Sequence, residues 1–343
     1  MKKGSSVYSS AGVDIDAKMN ALKNAKKLIQ STLTPGAVNT WGSFGGLFQS
    51  PGKDELLVSS MDGVGTKLKV ATMANRHDTV GQDIVNHCVN DILVQGARPL
   101  FFLDYIGVAK MDPLMIADLI KGVVKACREN SCALIGGETA ELPGLYPPGE
   151  YDLVGTIIGA VKKKDVITGR RIRKGDILLG LPSSGCHTNG YTLARHALFD
   201  RAGLGIHDPI PGTKTTAAQA LLAVHRSYLK PVLALRKAVE VRGLAHITGG
   251  GFPDNIRRVL PDNVDAAVDT RGWTPPALFR FIQQAAKVEA EEMYRVFNMG
   301  VGLVIAVRET DVVKAVAALK KAGEKPLVIG AVVRGSGSVQ MKY

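Results

Sequence analysis

Glycine constrains this chain more than any other residue type, because its 38 glycines gather in short clusters that follow strand-like segments. Glycine tolerates backbone conformations with positive φ and lets a bound group approach the main chain closely. The clusters follow no collagen period and form no low-complexity tract. They predict tight turns that wrap a ligand, on a framework in which strands alternate with helices.

The alternation of apolar segments predicts an α/β (mixed α+β) protein, and the length of 343 residues favours two domains. A basic stretch at 162–174 holds seven Lys or Arg and no aromatic residue, which is typical of a solvated connector. We place the boundary near residue 170, so that domains 1–170 and 171–343 each carry a mixed sheet with flanking helices. The predicted strands are 55–60, 99–108, 132–135, 151–161, 176–181, 244–248, 264–269, 302–308 and 326–333. Helices are predicted over 17–32, 79–95, 112–129 and 310–322, with further helices within 217–240 and 276–296.

The formal net charge of +12 allows two interpretations, nucleic-acid binding or a phosphate-rich small substrate. No recognisable nucleic-acid module surrounds the basic residues, so we expect no nucleic-acid partner. The four cysteines form no Cys-x-x-Cys pair. With no apolar run of about 18 residues, a membrane partner is not expected either. A cytoplasmic protein with reduced thiols is the expectation.

The sharpest local motif is Asp62-Gly-Val-Gly-Thr-Lys67, directly after a predicted strand. Gly63 and Gly65 let the backbone wrap an anion, and a helix that starts at Thr66 offers free N–H groups. Lys67 adds positive charge, and Asp62 suits a phosphate-bound Mg²⁺. A strand–turn–helix corner that needs glycine only for its geometry is the alternative.

A polar stripe runs along the predicted helix 79–95. Asp83, Asn86 and Asn90 share one face, and His87 and Asp91 form an adjoining pair one turn apart. Short Asp and Asn side chains are poor helix formers without a local role. The stripe therefore indicates oxygen ligands for Mg²⁺ and a polar substrate, rather than an ordinary solvated face.

A third motif, Gly136-Gly-Glu-Thr-Ala-Glu141, follows a buried strand. It places Glu138 at a strand end, where α/β proteins commonly bind ligands. Asp62, Asp91 and Glu138 could then converge on one or two metal ions. Glu141 is as well explained by a cap or a salt bridge.

The second half contains Ser183-Ser-Gly-Cys-His-Thr-Asn-Gly190 before a helix that begins near Tyr191. This loop suits a ribose phosphate. His187 within it is a candidate general acid or base, while Cys186 is a weak candidate nucleophile. The triple glycine 249–251 indicates another close backbone approach. His246 is expected to be a satisfied core residue, and Asn298 either binds a ligand or stabilises its own turn.

Taken together, the motifs resemble the phosphoribosylformylglycinamidine cyclo-ligase family. The matching segments lie in order along the chain and are Tyr8-x-x-Ala-Gly-Val13, Gly45-Gly-Leu-Phe48, Asp62-Gly-Val-Gly-Thr-Lys67, Gly81-x-Asp-x-Val-Asn86, Asn90-Asp-Ile92, Asp104-Tyr105, Gly136-Gly-Glu-Thr-Ala-Glu141, Ser184-Gly-Cys-His-Thr-Asn-Gly190, His246-Ile-Thr-Gly-Gly-Gly251 and Phe297-Asn-Met-Gly300. Each motif is weak alone, but the ordered set is specific. The departures are mild, such as Thr188 where serine is common.

The resemblance implies an activity, cofactors and an assembly. The family uses ATP and Mg²⁺ to close the imidazole ring of 5-aminoimidazole ribonucleotide from formylglycinamidine ribonucleotide, with release of ADP and phosphate. Its members are homodimers whose amino-terminal sheets join in a barrel-like interface, near which the nucleotide binds.

The resemblance also implies roles for individual residues of this chain. Asp62, Asp91 and Glu138 become the metal ligands. The loop Gly42 to Phe48, with Gly45 and Gly46, covers the nucleotide. The other implied nucleotide contacts are Asp62, Gly63, Gly65, Thr66, Lys67 and Asn90. The implied catalytic residues are Lys67, His187 and Asn189. The implied contacts to the substrate phosphate or amidine are Ser184, Gly185, Thr188, Gly190, Gly249, Gly250 and Gly251.

Two alternatives remain open at this point. One is another ATP-dependent enzyme of the same superfamily, such as thiamine-monophosphate kinase or the hydrogenase-maturation relative. The other is a non-catalytic module that binds nucleotide or nucleic acid, suggested by the positive charge. ATP turnover that depends on formylglycinamidine ribonucleotide would distinguish a cyclo-ligase from both alternatives.

Overall fold

The computed structural model describes residues 27–37 and 48–343, and in this part of the chain the strands form two separate sheets. Every strand of the first sheet precedes residue 163, and every strand of the second follows residue 176. The predicted α/β (mixed α+β) class is confirmed. Of the predicted helix 17–32, only residues 27–30 are described as helical, and its earlier part lies outside the described residues.

The first sheet has four strands in the order β1-β4-β2-β3, in which only β2 and β3 run parallel. Its strands are β1 Glu55–Gly63, β2 Arg98–Val108, β3 Ala133–Glu141 and β4 Tyr151–Lys162. The helices of this half are α1 Lys67–Met73, α2 Asp78–Leu93 and α3 Pro113–Glu129. Asp112 caps α3, because its carboxylate accepts hydrogen bonds from two backbone N–H groups of the first turn.

Helix α2 lies at the centre of the molecule, and 14 of its residues are buried. It packs against α3 at a point where each helix carries a glycine. A Cβ on Gly81 would lie 2.2 Å from the Leu119 carbonyl oxygen, and one on Gly122 would lie 2.1 Å from that of Asp78. Glycine at both positions therefore allows the backbones of the two helices to touch.

The helices of this half cover one face of the first sheet. On β1, Ser60 and Asp62 point toward α2, where Ser60 Oγ donates to Asp91 Oδ2 at 3.2 Å. Because side chains alternate along a strand, Leu57 and Met61 point the other way. They are 61% and 68% exposed. At β1, the first sheet thus presents apolar side chains that no described helix covers.

The second sheet has six strands in the order β10-β7-β9-β5-β8-β6, mostly antiparallel, with β7 and β10 parallel. Its strands are β5 Ile177–Pro182, β6 Gly243–His246, β7 Val264–Asp269, β8 Val301–Val307, β9 Leu327–Arg334 and β10 Val339–Lys342. The helices of this half are α4 Tyr191–Arg195, which continues as a π-helix over His196–Arg201, α5 Ala217–Leu221, α6 Leu229–Ala238, α7 Gly251–Arg257, α8 Ala277–Ala286, α9 Ala290–Val296 and α10 Val312–Lys321.

Two differences from the predicted elements affect the site. The third strand runs to Glu141 instead of ending at residue 135, so the Gly136–Glu141 motif is part of the strand and not a loop after it. The helices predicted within 217–240 are α5 and α6, and the non-helical segment at 223–228 that separates them was not predicted. That segment packs on α2, where side chains satisfy its backbone groups in place of a helical ladder.

Candidate functional site

A cleft of about 690 Å³ opens between the two halves of the molecule. Strand β1 and helix α2 form one wall, and β6 with the segment 248–259 forms the other. Its polar lining residues are Ser59, Ser60, Asp62, His87, Asp91, Gln95, Thr168, Asn189, His246, Thr248, Gly249, Asn255 and Arg258. A concave site on which polar groups converge is the usual form of a ligand site.

Asp62 and Asp91 approach the same imidazole nitrogen. His87 Nε2 lies 2.9 Å from Asp62 Oδ2 and 3.6 Å from Asp91 Oδ2. Asp91 follows His87 by one turn of α2, which puts both on one face of the helix. The two carboxylates keep 39% and 26% of their side-chain surface exposed, so both reach the cleft. The structure therefore brings together two of the three predicted metal ligands.

His246 holds Asp91 from the opposite wall. Its Nδ1 lies 2.8 Å from Asp91 Oδ1, and its Nε2 lies 3.0 Å from Nε2 of a second histidine, His225. His246 is buried and hydrogen-bonded, as predicted for a core residue. It also lines the cleft, because the carboxylate that it contacts faces the opening.

The charges at this wall are set by burial and by the two carboxylates together. Burial opposes the ionised form of Asp91, but the hydrogen bond and charge of His246, with the charge of His87 and the hydrogen bond of Ser60, lower its pKa below the ordinary value. Burial likewise opposes a charged His87, but the Asp62 hydrogen bond and the two carboxylates raise its pKa. At His246, burial lowers the pKa by more than the hydrogen bond and charge of Asp91 raise it, so the pKa of this histidine is lowered. The wall thus favours anionic Asp91 beside a protonated His87.

The polar stripe of α2 binds a segment of the protein itself. Asp83 Oδ1 accepts from the His225 backbone N–H at 2.6 Å, and Asn86 Nδ2 donates to the His225 carbonyl at 2.7 Å. Asn90 Oδ1 accepts from Tyr228 N at 2.9 Å, and its Nδ2 donates to the Arg226 carbonyl at 3.0 Å. Asn90 is fully buried. The prediction that it contacts the nucleotide is therefore corrected, since its amide holds the 223–228 segment.

Lys67 is also corrected. Its side chain is fully buried, and its ammonium forms a 2.7 Å ion pair with Asp83 Oδ2. It donates two hydrogen bonds, to the carbonyls of His187 at 3.0 Å and Ala223 at 2.8 Å. The Asp83 contact is an ion pair without hydrogen-bond geometry. Lys67 joins the two halves, and its buried ammonium is not among the groups that line the cleft.

His187 does not face the cleft, contrary to the prediction for an open loop. It is 1% exposed, has φ of +59°, and its ring stacks on His225 with centroids 4.0 Å apart. Its Nε2 accepts from the backbone N–H of Ser184 at 3.2 Å. Burial and the neighbouring cationic groups lower its pKa well below the ordinary value. His187 is thus a neutral ring in the core.

Some of the other residues of the 183–190 loop make internal contacts, and others line the cleft. Ser184 Oγ donates to the Val224 carbonyl, and the Gly185 carbonyl accepts from Asn298 Nδ2 at 2.8 Å. Thr188 Oγ1 lies 2.7 Å from His87 Nδ1 and 3.3 Å from His225 Nδ1. These contacts support the loop from inside. Asn298 Oδ1 also accepts from Gly300 N at 2.9 Å, which is the turn-stabilising role that was one of its two alternatives.

Asn189 and Gly190 lie at the opening. Asn189 lines the cleft, and its Nδ2 has no hydrogen-bond partner among the described residues. Gly190 is the N-cap of α4 with φ of +77°, and a Cβ there would lie 2.2 Å from the Phe297 ring. Glycine at 190 is thus required by the protein's own packing. It also lines an adjoining cleft of about 740 Å³.

The triple glycine has two different functions. Gly249 lines both clefts, and Gly250 lines the adjoining one. At Gly251 a Cβ would lie 1.9 Å from the Tyr294 carbonyl oxygen, so this glycine allows α7 to pack against α9. Gly249 and Gly250 remain positions where a ligand can approach the backbone, while Gly251 serves helix packing.

Glu138 does not join Asp62 and Asp91 within one chain. It pairs with Tyr105 in the β2–β3 ladder, whereas Asp104 and Gly155, on the neighbouring strands, are on the Asp62 face. Alternation therefore places Glu138 on the open face of the sheet, with β4 and β2 between its strand and β1. The prediction that Glu138 lies at the end of a strand is wrong, because β3 continues through the motif to Glu141.

The remaining predicted nucleotide contacts lie beside the cleft or outside the described residues. Gly65 has φ of +69° with no atom within 4 Å of an added Cβ, so its turn borders open space. Thr66 Oγ1 lies 3.2 Å from Thr192 Oγ1, across the two halves. Gly63 ends β1, and its backbone N–H donates to Asp62 Oδ1 at 2.7 Å. Gly45 and Gly46 lie outside the described residues.

His225 and Arg258 are site residues that the sequence interpretation missed. His225 is fully buried among His187, His246 and Thr188, and burial with the surrounding positive charge lowers its pKa well below the ordinary value. Arg258 lines the cleft just after α7. Neither lies in a glycine motif. A histidine inside a predicted helical region gives no sign that the chain leaves the helix at that point.

Comparison with known proteins agrees with this architecture. Residues 45–161 match the family described as AIR synthase related protein, N-terminal domain, and residues 173–342 match its C-terminal domain. Solved structures share the fold at low identity. A thiamine-monophosphate kinase from Stenotrophomonas maltophilia superposes with a TM-score of 0.70 at 17% identity, over 94% of this chain and 95% of that one. A hydrogenase maturation protein HypE in complex with ATP superposes with a TM-score of 0.66 at 19% identity, over 97% of this chain and 93% of that one.

Much higher identity links the chain to curated enzymes. The phosphoribosylformylglycinamidine cyclo-ligase of Bacillus pumilus is 47% identical over 97% of both chains. That of Geotalea uraniireducens is 47% identical over 99% of this chain and 100% of its own length. The chain therefore belongs to the AIR synthase related family and, within it, to the phosphoribosylformylglycinamidine cyclo-ligases.

Proposed function

We propose that this protein closes the imidazole ring of 5-aminoimidazole ribonucleotide from formylglycinamidine ribonucleotide, at the expense of ATP. The full-length identity to curated cyclo-ligases supports the reaction. In that reaction the formyl oxygen takes the γ-phosphoryl group and ADP leaves. An amidine nitrogen then bonds to the formyl carbon, the carbon–oxygen bond breaks, and phosphate departs. The step belongs to de novo purine biosynthesis.

The observation that carries the proposal is the convergence of Asp62 and Asp91 at one wall of the interdomain cleft. Two carboxylates that approach a common atom suit a divalent cation, and carboxylate oxygens are what Mg²⁺ prefers. We place the Mg²⁺ of Mg-ATP at these residues, where it would neutralise phosphate charge. Phosphoryl transfer depends mainly on such neutralisation and on alignment.

Several groups of the chain are available to hold the substrate opposite the carboxylates. Asn189 offers an amide donor without a partner in the described part of the chain. Gly249 and Gly250 allow a close backbone approach, and Arg258 supplies positive charge for a phosphate. Holding amine and activated carbon in contact favours ring closure, because the two groups then react without a loss of translational freedom.

The domain roles follow from the walls of the cleft. We propose that residues 1–170 form the domain that binds ATP and Mg²⁺ and dimerises, and that residues 171–343 complete the substrate site. Asp62 and Asp91 come from the first domain, and Asn189, Gly249 and Arg258 from the second. The contacts of Lys67 and of the α2 stripe with residues 187–228 support a fixed relation between the walls.

We further propose a cytoplasmic homodimer in which the open faces of two first sheets join as a barrel-like interface. The exposed Leu57 and Met61 support this arrangement, since large apolar patches usually mark interfaces. None of the described helices is long and apolar enough to cross a membrane. Light scattering should give a molar mass twice the chain's 36.5 kDa. A Met61→Asp variant that keeps the dimer would place the interface elsewhere.

The activity is tested with purified protein, Mg-ATP and formylglycinamidine ribonucleotide. We expect ADP release that depends on the ribonucleotide, together with a diazotisable aminoimidazole in equal amount. Thiamine monophosphate serves as the control substrate, because a protein with the same fold is a kinase named for it. ADP release without the ribonucleotide, or with thiamine monophosphate in its place, would contradict the proposal.

A further inference from the structure

The cation site proposed at Asp62 and Asp91 contains nitrogen as well as oxygen atoms. His87 Nε2 lies 2.9 Å from Asp62 Oδ2, and His246 Nδ1 lies 2.8 Å from Asp91 Oδ1. His87 Nε2 is also 3.6 Å from the second oxygen of Asp91. Ligand atoms of His87, Asp91 and His246 all lie within 4.8 Å of one another. Two imidazoles and two carboxylates therefore converge at the cleft wall.

Each of these imidazoles is supported at its other nitrogen. His87 Nδ1 lies 2.7 Å from Thr188 Oγ1, and His246 Nε2 lies 3.0 Å from His225 Nε2. Histidines that bind metals almost always use the second ring nitrogen in a hydrogen bond, which fixes the ring and its tautomer. Both rings are nearly buried, with 4% and 3% of the side chain exposed. Their orientation is thus already fixed.

The tautomer of His246 follows from Asn90. Since Asn90 Oδ1 accepts from Tyr228 N, the orientation of its amide is determined. One amide proton goes to the Arg226 carbonyl, and the other faces His225 Nε2 at 3.2 Å. His225 Nε2 is then an acceptor, so the proton between the two rings belongs to His246 Nε2. His246 Nδ1 lies 2.8 Å from Asp91 Oδ1, and a cation bound by these two atoms would take the place of the proton between them.

Thr188 allows His87 to bind a cation through Nε2 as well. A hydroxyl can donate or accept, so Thr188 can donate to His87 Nδ1 when Nε2 is protonated toward Asp62. It can equally accept from His87 Nδ1 when Nε2 offers its lone pair to a metal. We infer that His87, His246, Asp91 and Asp62 form a mixed nitrogen and oxygen site that prefers a divalent transition cation, such as Mn²⁺, Co²⁺ or Zn²⁺, over Mg²⁺.

The preference follows from ligand chemistry. Imidazole suits zinc and its neighbours, whereas Mg²⁺ takes oxygen ligands and retains water. The inference deepens the proposed function, because it concerns the cation placed beside ATP. It is tested without ATP or ribonucleotide, so a failure to close the ring would not be confused with a failure to bind metal through histidine.

The test uses Mn²⁺ as the probe on the full-length protein. Pulsed electron paramagnetic resonance of bound Mn²⁺ should show coupling to imidazole ¹⁴N, and competition calorimetry should show Co²⁺ binding at least about ten-fold more tightly than Mg²⁺. Absence of nitrogen coupling in the unmodified protein overturns the inference. This arm needs no variant, so it stands even where a substitution fails to fold.

Variants assign the coupling to the named rings. His87→Asn and His246→Asn should each weaken the nitrogen coupling and lower Co²⁺ affinity by roughly ten-fold or more, with a smaller effect on Mg²⁺. His196→Asn is the matched control, because His196 contacts Asp200 at 3.0 Å on the surface, with 52% of its side chain exposed. Coupling that persists in both site variants, or is lost in His196→Asn, overturns the assignment.

The supporting hydroxyl is tested separately. Thr188→Val should lower Co²⁺ affinity, because it removes the partner of His87 Nδ1, and Thr188→Ser should restore the affinity. Thr79→Val is the control for the loss of a buried hydroxyl, since Thr79 Oγ1 has no hydrogen-bond partner among the described residues. Equal affinity in the valine and serine variants at 188 would count against the supporting role of the hydroxyl.

Discussion

Replacing Lys67 with methionine should destabilise the protein by about 3 to 5 kcal/mol, the usual consequence of removing one partner from a buried ion pair. The substitution leaves the Asp83 carboxylate buried with no cation beside it, and burial is already the main influence that raises its pKa. It also removes the donor to the carbonyls of His187 and Ala223. Denaturant unfolding of the unliganded protein measures the loss.

Lys69→Met is the matched control on the same helix. Lys69 pairs with Glu150 at the surface, with 41% of its side chain exposed, and exposed pairs contribute about 1 kcal/mol or less. The double variant Lys67→Met with Asp83→Asn should lose less stability than the sum of the single changes, because no unpaired charge remains. Stability close to that of the unmodified protein, combined with a raised KM for ATP, would restore Lys67 as a phosphate neighbour.

The glycine motifs and apolar periodicity were sufficient to predict most elements and both loop sets. Strand β7 and the segments near β1, β2 and β4 follow directly from apolar runs bounded by turn residues. The end of β3 could not be predicted from the sequence in this way, because Gly136 and Gly137 normally indicate a turn. Here they continue the strand, where Gly137 lies against Asp104 so closely that a Cβ would be 2.3 Å from its carboxylate. Tertiary contact overrode the local preference.

The site was harder to predict than the fold, because one residue pattern fits two surroundings. Asp83, Asn86 and Asn90 were recognised as a functional stripe, but amides that bind a ligand and amides that bind another chain segment look alike in sequence. The partner of the stripe is the backbone of residues 225–228, which carries no sequence signature. Lys67 was misplaced for the same reason. Burial depends on what packs over a helix, and that information lies 120 to 156 residues away.

Asp91→Asn should lower kcat/KM by roughly 10²-fold or more, since a carboxylate that holds the cation of Mg-ATP stabilises charge in the transition state by several kcal/mol. The fold should persist, because Asp91 is partly exposed at the cleft and an asparagine can keep one hydrogen bond to His246 or Ser60. Steady-state kinetics at varied Mg²⁺, with melting temperature measured in parallel, separates the two effects.

Asp78→Asn provides the comparison on the same helix. Asp78 lies in the first turn of α2, pairs with Arg76 at the surface and is 35% exposed, away from the cleft. The Asp78→Asn variant should keep kcat/KM within about two-fold of the unmodified protein, because a surface ion pair contributes little. Asp62→Asn should resemble Asp91→Asn, since both carboxylates approach His87 Nε2. If Asp91→Asn turned over normally at saturating and at limiting Mg²⁺, the cation would have to bind elsewhere, and the cleft wall would lose its place in the reaction.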